Sequence, residues 1–292
     1  MTYRLAVQRE LYELVREAER LQAATDWMPV AGAPAASTSA ADTRWSNPAW
    51  GALPMRDAYL SAALPLASSQ DHLQMLAHAI GTGPLAFAYS TIARGAMEAA
   101  GRAWWLLDPA VDDTRRLGRY MTDRLYSWQE MIRLVDGEAP EDGAARAQQE
   151  QRIDRLAACA ERYGFKVHRA RSRPVAIGEP RPKTTTLLEA VLADPADGLS
   201  TGAMLYRVLS AAAHATLYAL LQPTTVVREH NDGSALAGVA IDDDLLARIT
   251  VGPVLAYSRA FTSLGDRWGW QDRLGAWTEH SWALAVLLRQ RL

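Results

Sequence analysis

Apolar residues return every three or four positions along nearly the whole chain, and this spacing limits the fold more than any other feature. It is the period of a helix that turns one face to a core. From Tyr3 to Ala24, Leu5, Leu11, Leu14, Val15 and Leu21 share one side, with arginines and glutamates on the other. The same pattern predicts helices around Arg56–Ala63 and over His72–Ala79, the latter after a Ser68-Ser69-Gln70-Asp71 start signal. Further helices are predicted from Pro84 to the Asp108-Pro109 stop, then over Asp112–Val135 and Ala144–Tyr163, the last two parted by the breaker DGEAPEDG. Thr184–Leu192, Thr201–Leu221, Asp242–Thr262 and Trp270–Leu292 complete the set. Two stretches depart from it. Residues 164–183 are basic, carry prolines and lack a stripe, so they read as a loop. TTVVRE and ALAGVAI flank Asn231-Asp232-Gly233-Ser234 and read as a small hairpin near 224–240. The predicted fold class is all-α: a helical bundle with one small β-hairpin. Residues 1–28 form an N-terminal helix, the Ala-, Pro- and Ser-rich 29–48 a linker or mobile loop, and 49–292 the bundle domain.

Composition narrows the classes. With 49% hydrophobic and 22% charged residues, the chain of 292 residues is neither disordered nor fibrous. A net charge of -2 gives no general attraction to nucleic acid or to an anionic membrane, so RNA contact requires a local basic patch. Cys159 is the single cysteine, which excludes an intrachain disulfide and a cysteine metal cage and fits a reducing compartment. The first residues lack the apolar core of a signal peptide, and Arg94, Glu98 and Arg102 interrupt the most apolar run. A cytoplasmic protein without membrane contact is expected. Only Lys166 and Lys183 are lysines, which reads as arginine-favouring codon usage rather than phosphate recognition.

The residues most able to carry chemistry lie within Leu205–His214. Arg207 and His214 are seven apart, close to two helical turns, with Ser210 between them and Tyr206 and Tyr218 nearby. The surrounding alanines and leucines imply burial. A permanent cation beside an imidazole stabilises a phosphate or oxyanion while the imidazole moves a proton. The same spacing also serves to hydrogen-bond neighbouring helices and fix their register. Arg94, Glu98 and Arg102, spaced by four, form a second polar line. Glu98 is placed to pair with Arg207 or to orient His214, or to join a structural ion-pair network.

Arg207, six residues and His214 resemble the R-x(4–6)-H signature of the HEPN superfamily of helical bundles. Tyr206-Arg207-Val208-Leu209-Ser210 through His214, following Arg94-x-x-x-Glu98, resembles an uncharacterised bacterial branch of that superfamily. The resemblance implies a metal-independent endoribonuclease of a bacterial defence, toxin or stress system, acting as a homodimer without cofactor. Arg207 and His214 would be catalytic, supported by Arg94, Glu98, Tyr206 and Ser210, and the products would be a cyclic phosphate and a 5′-hydroxyl. Val208 stands where many active members carry Asn, Asp or His. The alternative is therefore a non-catalytic dimeric interaction or small-molecule-binding protein of the same build.

Other signals are weaker. His72 and His78 are poorly spaced for one metal, Glu279 and His280 point in different directions, and no Glu-x-x-His pair is present, so no metal site is predicted. Asp112-Asp113 and Asp242-Asp243-Asp244 stand where helices begin, which favours capping over a magnesium site. Gly81-Thr82-Gly83 follows no strand and reads as a turn. Trp268, Trp270, Trp277 and Trp282 read as core or interface. Arg169, Arg171, Arg173, Arg181 and Lys183 form the local basic patch available to RNA phosphates, with a simply solvated loop the slightly preferred reading.

Overall fold

The computed structural model describes residues 2–82, 87–135, 142–193, 202–217, 221, 223–229, 235–239 and 241–292. Pro84, Tyr218, Gly83, most of the 136–143 breaker and the 231–234 turn lie outside them. The helices are α1 (Tyr3–Thr25), α2 (Ser39–Trp45), α3 (Pro54–Leu60), α4 (Ala63–Thr82), α5 (Ala88–Leu107), α6 (Asp113–Val135) and α7 (Asp142–Arg162). After strands β1 (Val167–Ala170) and β2 (Arg173–Ile177) come α8 (Thr184–Leu192) and α9 (Gly202–Ala213). Strands β3 (Thr224–Glu229) and β4 (Ala235–Val239) lead to α10 (Asp243–Trp268), a 3-10 turn (Gln271–Arg273) and α11 (Gly275–Arg289). The fold is all-α, and β3 and β4 pair antiparallel as the predicted hairpin. Among the described residues no helix is long and apolar enough to cross a membrane.

The chain divides into two compact units: Met1–Val30, Ala63–Trp105 and Thr184–Leu292 make the first, Ala31–Ala62 and Leu106–Lys183 the second. The stretch 29–48 contains α2, whose Asp42 and Trp45 are buried. Asp42 Oδ1 accepts from the amides of Met55 at 2.7 Å and Arg56 at 3.3 Å, so its carboxylate satisfies the open amides at the start of α3.

In the first unit α1 packs on α4 and α11, α8 on α9, and α10 touches α4, α8, α9 and α11. Leu11, Leu14, Leu66, Leu73, Phe261, Leu284 and Leu288 fill the core. Ser68–Asp71 lie inside α4 rather than at its start. Their polar groups have tertiary partners: Ser69 Oγ donates to the Ala96 carbonyl at 2.9 Å, and Gln70 exchanges hydrogen bonds with Gln22 at 2.9 and 3.2 Å. Asp242 caps α10 by accepting from the Leu245 amide at 2.7 Å, with Asp243 and Asp244 in the first turn, where the helix dipole favours them. Trp268 and Trp270 are fully buried. Their indole N–H groups donate to the Trp27 and Met28 carbonyls at 3.1 and 3.2 Å, pinning the chain as it leaves α1. Trp277 packs on Phe261 with ring centroids 4.8 Å apart, whereas Trp282 is exposed.

The second unit corrects the loop predicted over 164–183. β1 and β2 form an antiparallel hairpin there, joined at Arg171 and Ser172 with φ of 49° and 69°. Two consecutive left-handed residues are the geometry of a tight hairpin turn, normally built from Asn and Gly. Arg-Ser carries no such signal, which is why the turn was invisible in the sequence. The strand is held by α6: Thr122 Oγ1 donates to the Ile177 carbonyl at 2.9 Å and accepts from its amide at 2.8 Å. Gly118 permits the approach, since a Cβ there would press on the Ile177 carbonyl oxygen at 3.2 Å. Arg116 is 1% exposed and donates to the carbonyls of Leu106, Asp108 and Val111, with its guanidinium 4.9 Å from the Tyr59 ring centroid. Beside it, Arg119 bridges Asp108 (3.0 Å) and Glu179.

Candidate functional site

The two polar lines singled out in the sequence meet in the first unit. Arg94 and Glu98 lie one turn apart on α5, and Arg94 Nε donates to Glu98 Oε1 at 2.8 Å. From α9, the Tyr206 hydroxyl donates to the same Glu98 oxygen at 2.8 Å. The Arg94 guanidinium lies 5.5 Å from the Tyr206 ring centroid. Arg94 Nη1 also reaches His214 Nε2 at 3.3 Å. Arginine has no acceptor, so it donates and Nε2 accepts; the imidazole in this arrangement is the neutral form with its proton on Nδ1.

Close helix packing places these groups. A Cβ on Gly202 would collide with the Leu188 carbonyl, so glycine lets α9 begin against α8. A Cβ on Gly252 would meet Met97 and Leu205, which locates α10 between α5 and α9. His214 sits where α9 stops. The Thr216 amide donates to the Ala211 carbonyl at 3.0 Å and the Ala215 amide to that of Ala212 at 3.0 Å, while Ala215 takes φ 51°. This is a left-handed helix stop with alanine at the position where glycine is usual. The early stop corrects the helix predicted to run to Leu221, and the strain lies next to the imidazole. Ala215→Gly is expected to stabilise the chain by about 0.5–1 kcal/mol, because it relieves the left-handed alanine at some cost in unfolded-state entropy. The urea midpoint would rise with an unchanged slope; an unmoved or lower midpoint would contradict the strain.

Burial differs from expectation. Arg207 and His214 are exposed, while Tyr206, Ser210, Arg94 and Glu98 are half-buried. The small residues near α9's end turn one side to the core and leave the Arg207–His214 side in solvent. Glu98 does not pair with Arg207, and among the described residues Arg207 has no hydrogen-bond or ion-pair partner. Burial works against the Arg94 charge, but the Glu98 carboxylate beside it outweighs this and holds the pKa above its ordinary value. Burial, then Glu98, pushes the Tyr206 phenol up, so it remains a donor. The result is an exposed imidazole touching one cation, with a second cation about 10 Å back along the helix.

No family model matches the chain, and no curated protein or solved structure matches it. The site therefore stands on its own geometry.

The predicted RNA patch is spread over the β1–β2 hairpin and beyond it. Arg169 pairs with Glu161 at 2.8 Å, and Arg181 lies 4.4 Å from the Tyr126 ring centroid. Sequence reasoning missed the direct Arg94–His214 contact, which joins residues 120 positions apart. It also missed a run of arginines on α7 at 152, 155 and 162, a helical spacing visible in the sequence but outweighed by the basic loop.

Among the described residues, Glu13, Glu17 and His280 bring ligand atoms within 4.8 Å of one another, the arrangement a divalent ion would require. Arg16 and Arg20 pair with the two glutamates, and His280 Nδ1 donates to Glu10 Oε2 at 2.8 Å, so the group is satisfied as an ion-pair network. The Glu10 side chain is 9% exposed. Burial alone would raise its pKa; hydrogen bonds from His280 and Arg9 outweigh it and hold the carboxyl below the usual range. A depressed folded-state pKa stabilises the fold above the ordinary glutamate value of about 4.3, and this is lost as pH falls through the folded value. Glu10→Gln is expected to flatten the acid limb of stability against pH between about pH 5 and 3. Parallel acid limbs for the two proteins would remove Glu10 from the balance.

Proposed function

We propose that the chain is a metal-independent endoribonuclease of HEPN-like type, serving bacterial defence or stress as a cytoplasmic toxin-like homodimer. The observation that carries this reading is the exposed His214 imidazole held by Arg94, with Arg207 unpaired on the same face. His214 Nε2 takes the proton of the ribose 2′-hydroxyl as its oxygen attacks phosphorus. The bond to the 5′-oxygen breaks, the imidazolium returns a proton to it, and a 2′,3′-cyclic phosphate and a 5′-hydroxyl remain. Arg207, and Arg94 turned from the imidazole to the phosphate, stabilise the added negative charge. Glu98 and Tyr206 hold Arg94, and Ser210 lies beside the imidazole on α9. Met204 and Val208 are exposed apolar residues flanking Arg207, which supports a second copy docking over this helix. The same exposed pair, with valine at 208, favours a non-catalytic dimeric interaction module as the second reading.

The test is incubation with mixed cellular RNA in EDTA. Fragments with cyclic phosphate and 5′-hydroxyl ends are expected. Intact RNA from a folded protein would favour the interaction module, and cleavage only after metal addition would overturn the mechanism.

A further inference from the structure

The second unit carries a cavity of about 760 Å³ between α6, α7 and the turn at Asn47–Ala49, lined by Arg124, Trp128, Arg152, Arg155, Cys159 and Arg162 among others. Its lining holds four arginines and no carboxylate. Among the described residues none of the four is in a salt bridge. Several other helical arginines have a carboxylate one turn away: Arg16 pairs with Glu13, Arg20 with Glu17, Arg133 with Glu130, and at the start of α7 itself Arg146 with Glu150. Past that pair α7 changes character. Positions 152, 155, 159 and 162 fall on one helix face, and three of them are arginine in a chain whose net charge is -2. Like charges at this spacing repel one another, and no carboxylate in the lining offsets them.

The arginines also retain donors. Arg152 Nη1 donates to Gln149 Oε1 at 3.4 Å and Arg155 Nε to the Gln151 carbonyl at 3.3 Å, which leaves most of each fork unused. The opposite wall, on α6, offers the half-buried Trp128 beside Arg124. The Arg124 guanidinium lies 4.9 Å from the Trp128 ring centroid and 5.4 Å from that of Tyr120. Its Nη1 donates to the Trp50 carbonyl at 3.1 Å and the Tyr120 hydroxyl at 3.3 Å. The turn at the cavity edge is set by Asn47, whose Oδ1 accepts from the Ala49 amide at 2.9 Å. A bare phosphate would leave most of this volume empty, which is within the range of small-molecule sites, about 300–1,000 Å³. A basic row facing an indole matches a ligand with phosphates at one end and a planar ring at the other.

We infer that this cavity binds a single free nucleotide, its phosphates on Arg152, Arg155 and Arg162 and its base against Trp128. The inference is independent of the cleavage site at His214, which belongs to the other unit, and either can fail without the other.

The experiment is isothermal titration of the full chain with adenosine triphosphate, adenosine, inorganic tripolyphosphate and a short RNA oligomer. Adenosine triphosphate is expected to bind with a salt-sensitive affinity, and adenosine and tripolyphosphate each about tenfold more weakly or worse. Arg155→Gln with Arg162→Gln should weaken nucleotide binding at least about tenfold. Trp128→Leu should weaken the nucleotide while leaving tripolyphosphate unchanged. Arg146→Gln, outside the cavity on the same helix, reports any general effect on α7. Equal binding of nucleotide and tripolyphosphate, or nucleotide binding indifferent to the cavity variants, would overturn the inference. So would binding of the RNA oligomer alone, which would assign the cavity to a strand rather than a free nucleotide.

Discussion

His214→Ala protein is expected to cleave RNA about 10²–10⁴-fold more slowly than the parent, the usual contribution of a positioned general acid or base. The imidazole is exposed and its described polar contact is with Arg94, so its removal leaves the core intact. The unfolding midpoint should stay within about 0.5 kcal/mol of the parent, as for surface positions generally. Arg207→Ala is expected to lower the rate without changing the ends of the fragments, since it removes charge stabilisation rather than the proton carrier. Arg94→Ala acts twice, freeing His214 and leaving Glu98 with Tyr206 alone. A His214→Ala protein that keeps the parental rate would place the chemistry elsewhere. Loss of rate together with loss of folding would be read against His214→Gln, which keeps a polar side chain at the helix end.

Arg116→Met is expected to cost about 3–5 kcal/mol, since it removes one donor from three carbonyls at about 1–3 kcal/mol for each one left unsatisfied. The guanidinium donates to the carbonyls of Leu106, Asp108 and Val111, and methionine fills much of the space without offering a hydrogen bond. Buried acceptors then lose their donor, which costs more than the net value of the bonds themselves. Its neighbour Arg115 supplies the comparison. It is exposed and bonds Glu179 at 2.6 Å, so Arg115→Met is expected to cost under about 1 kcal/mol. Urea unfolding of the two variants separates these outcomes. Equal losses would mean that the three carbonyls find water, and that burial of Arg116 contributes little.

The helices were legible because their apolar faces repeat with the helical period, and the start of α10 because aspartates suit a helix N-terminus. Several errors share one cause: a residue's local meaning was outweighed by a distant partner. Ser68–Asp71 looked like a cap until Ala96 and Gln22 claimed Ser69 and Gln70. The β1–β2 hairpin was hidden because Arg171 and Ser172 adopt a turn they do not favour, with the strand secured from α6 through Thr122. At the candidate site the spacing suggested a shared face for Arg207 and His214; Arg207 lies on α9, His214 just past its end, and both are exposed. The spacing could not say that both look to solvent, nor that Arg94 rather than Glu98 would meet the imidazole.

The order of segments in the two units has a consequence for synthesis. The second unit is complete once Lys183 has been made, whereas α1 packs on α11, which ends only at Arg289. At about 5–20 residues per second, α1 waits on the order of 10–50 s for that partner. Leu11, Leu14 and Val15 depend on α4 for cover during that interval. The ribosome-bound chain thus carries one finished unit and one half-built unit with an open apolar seam, the state in which a holding chaperone has most to bind.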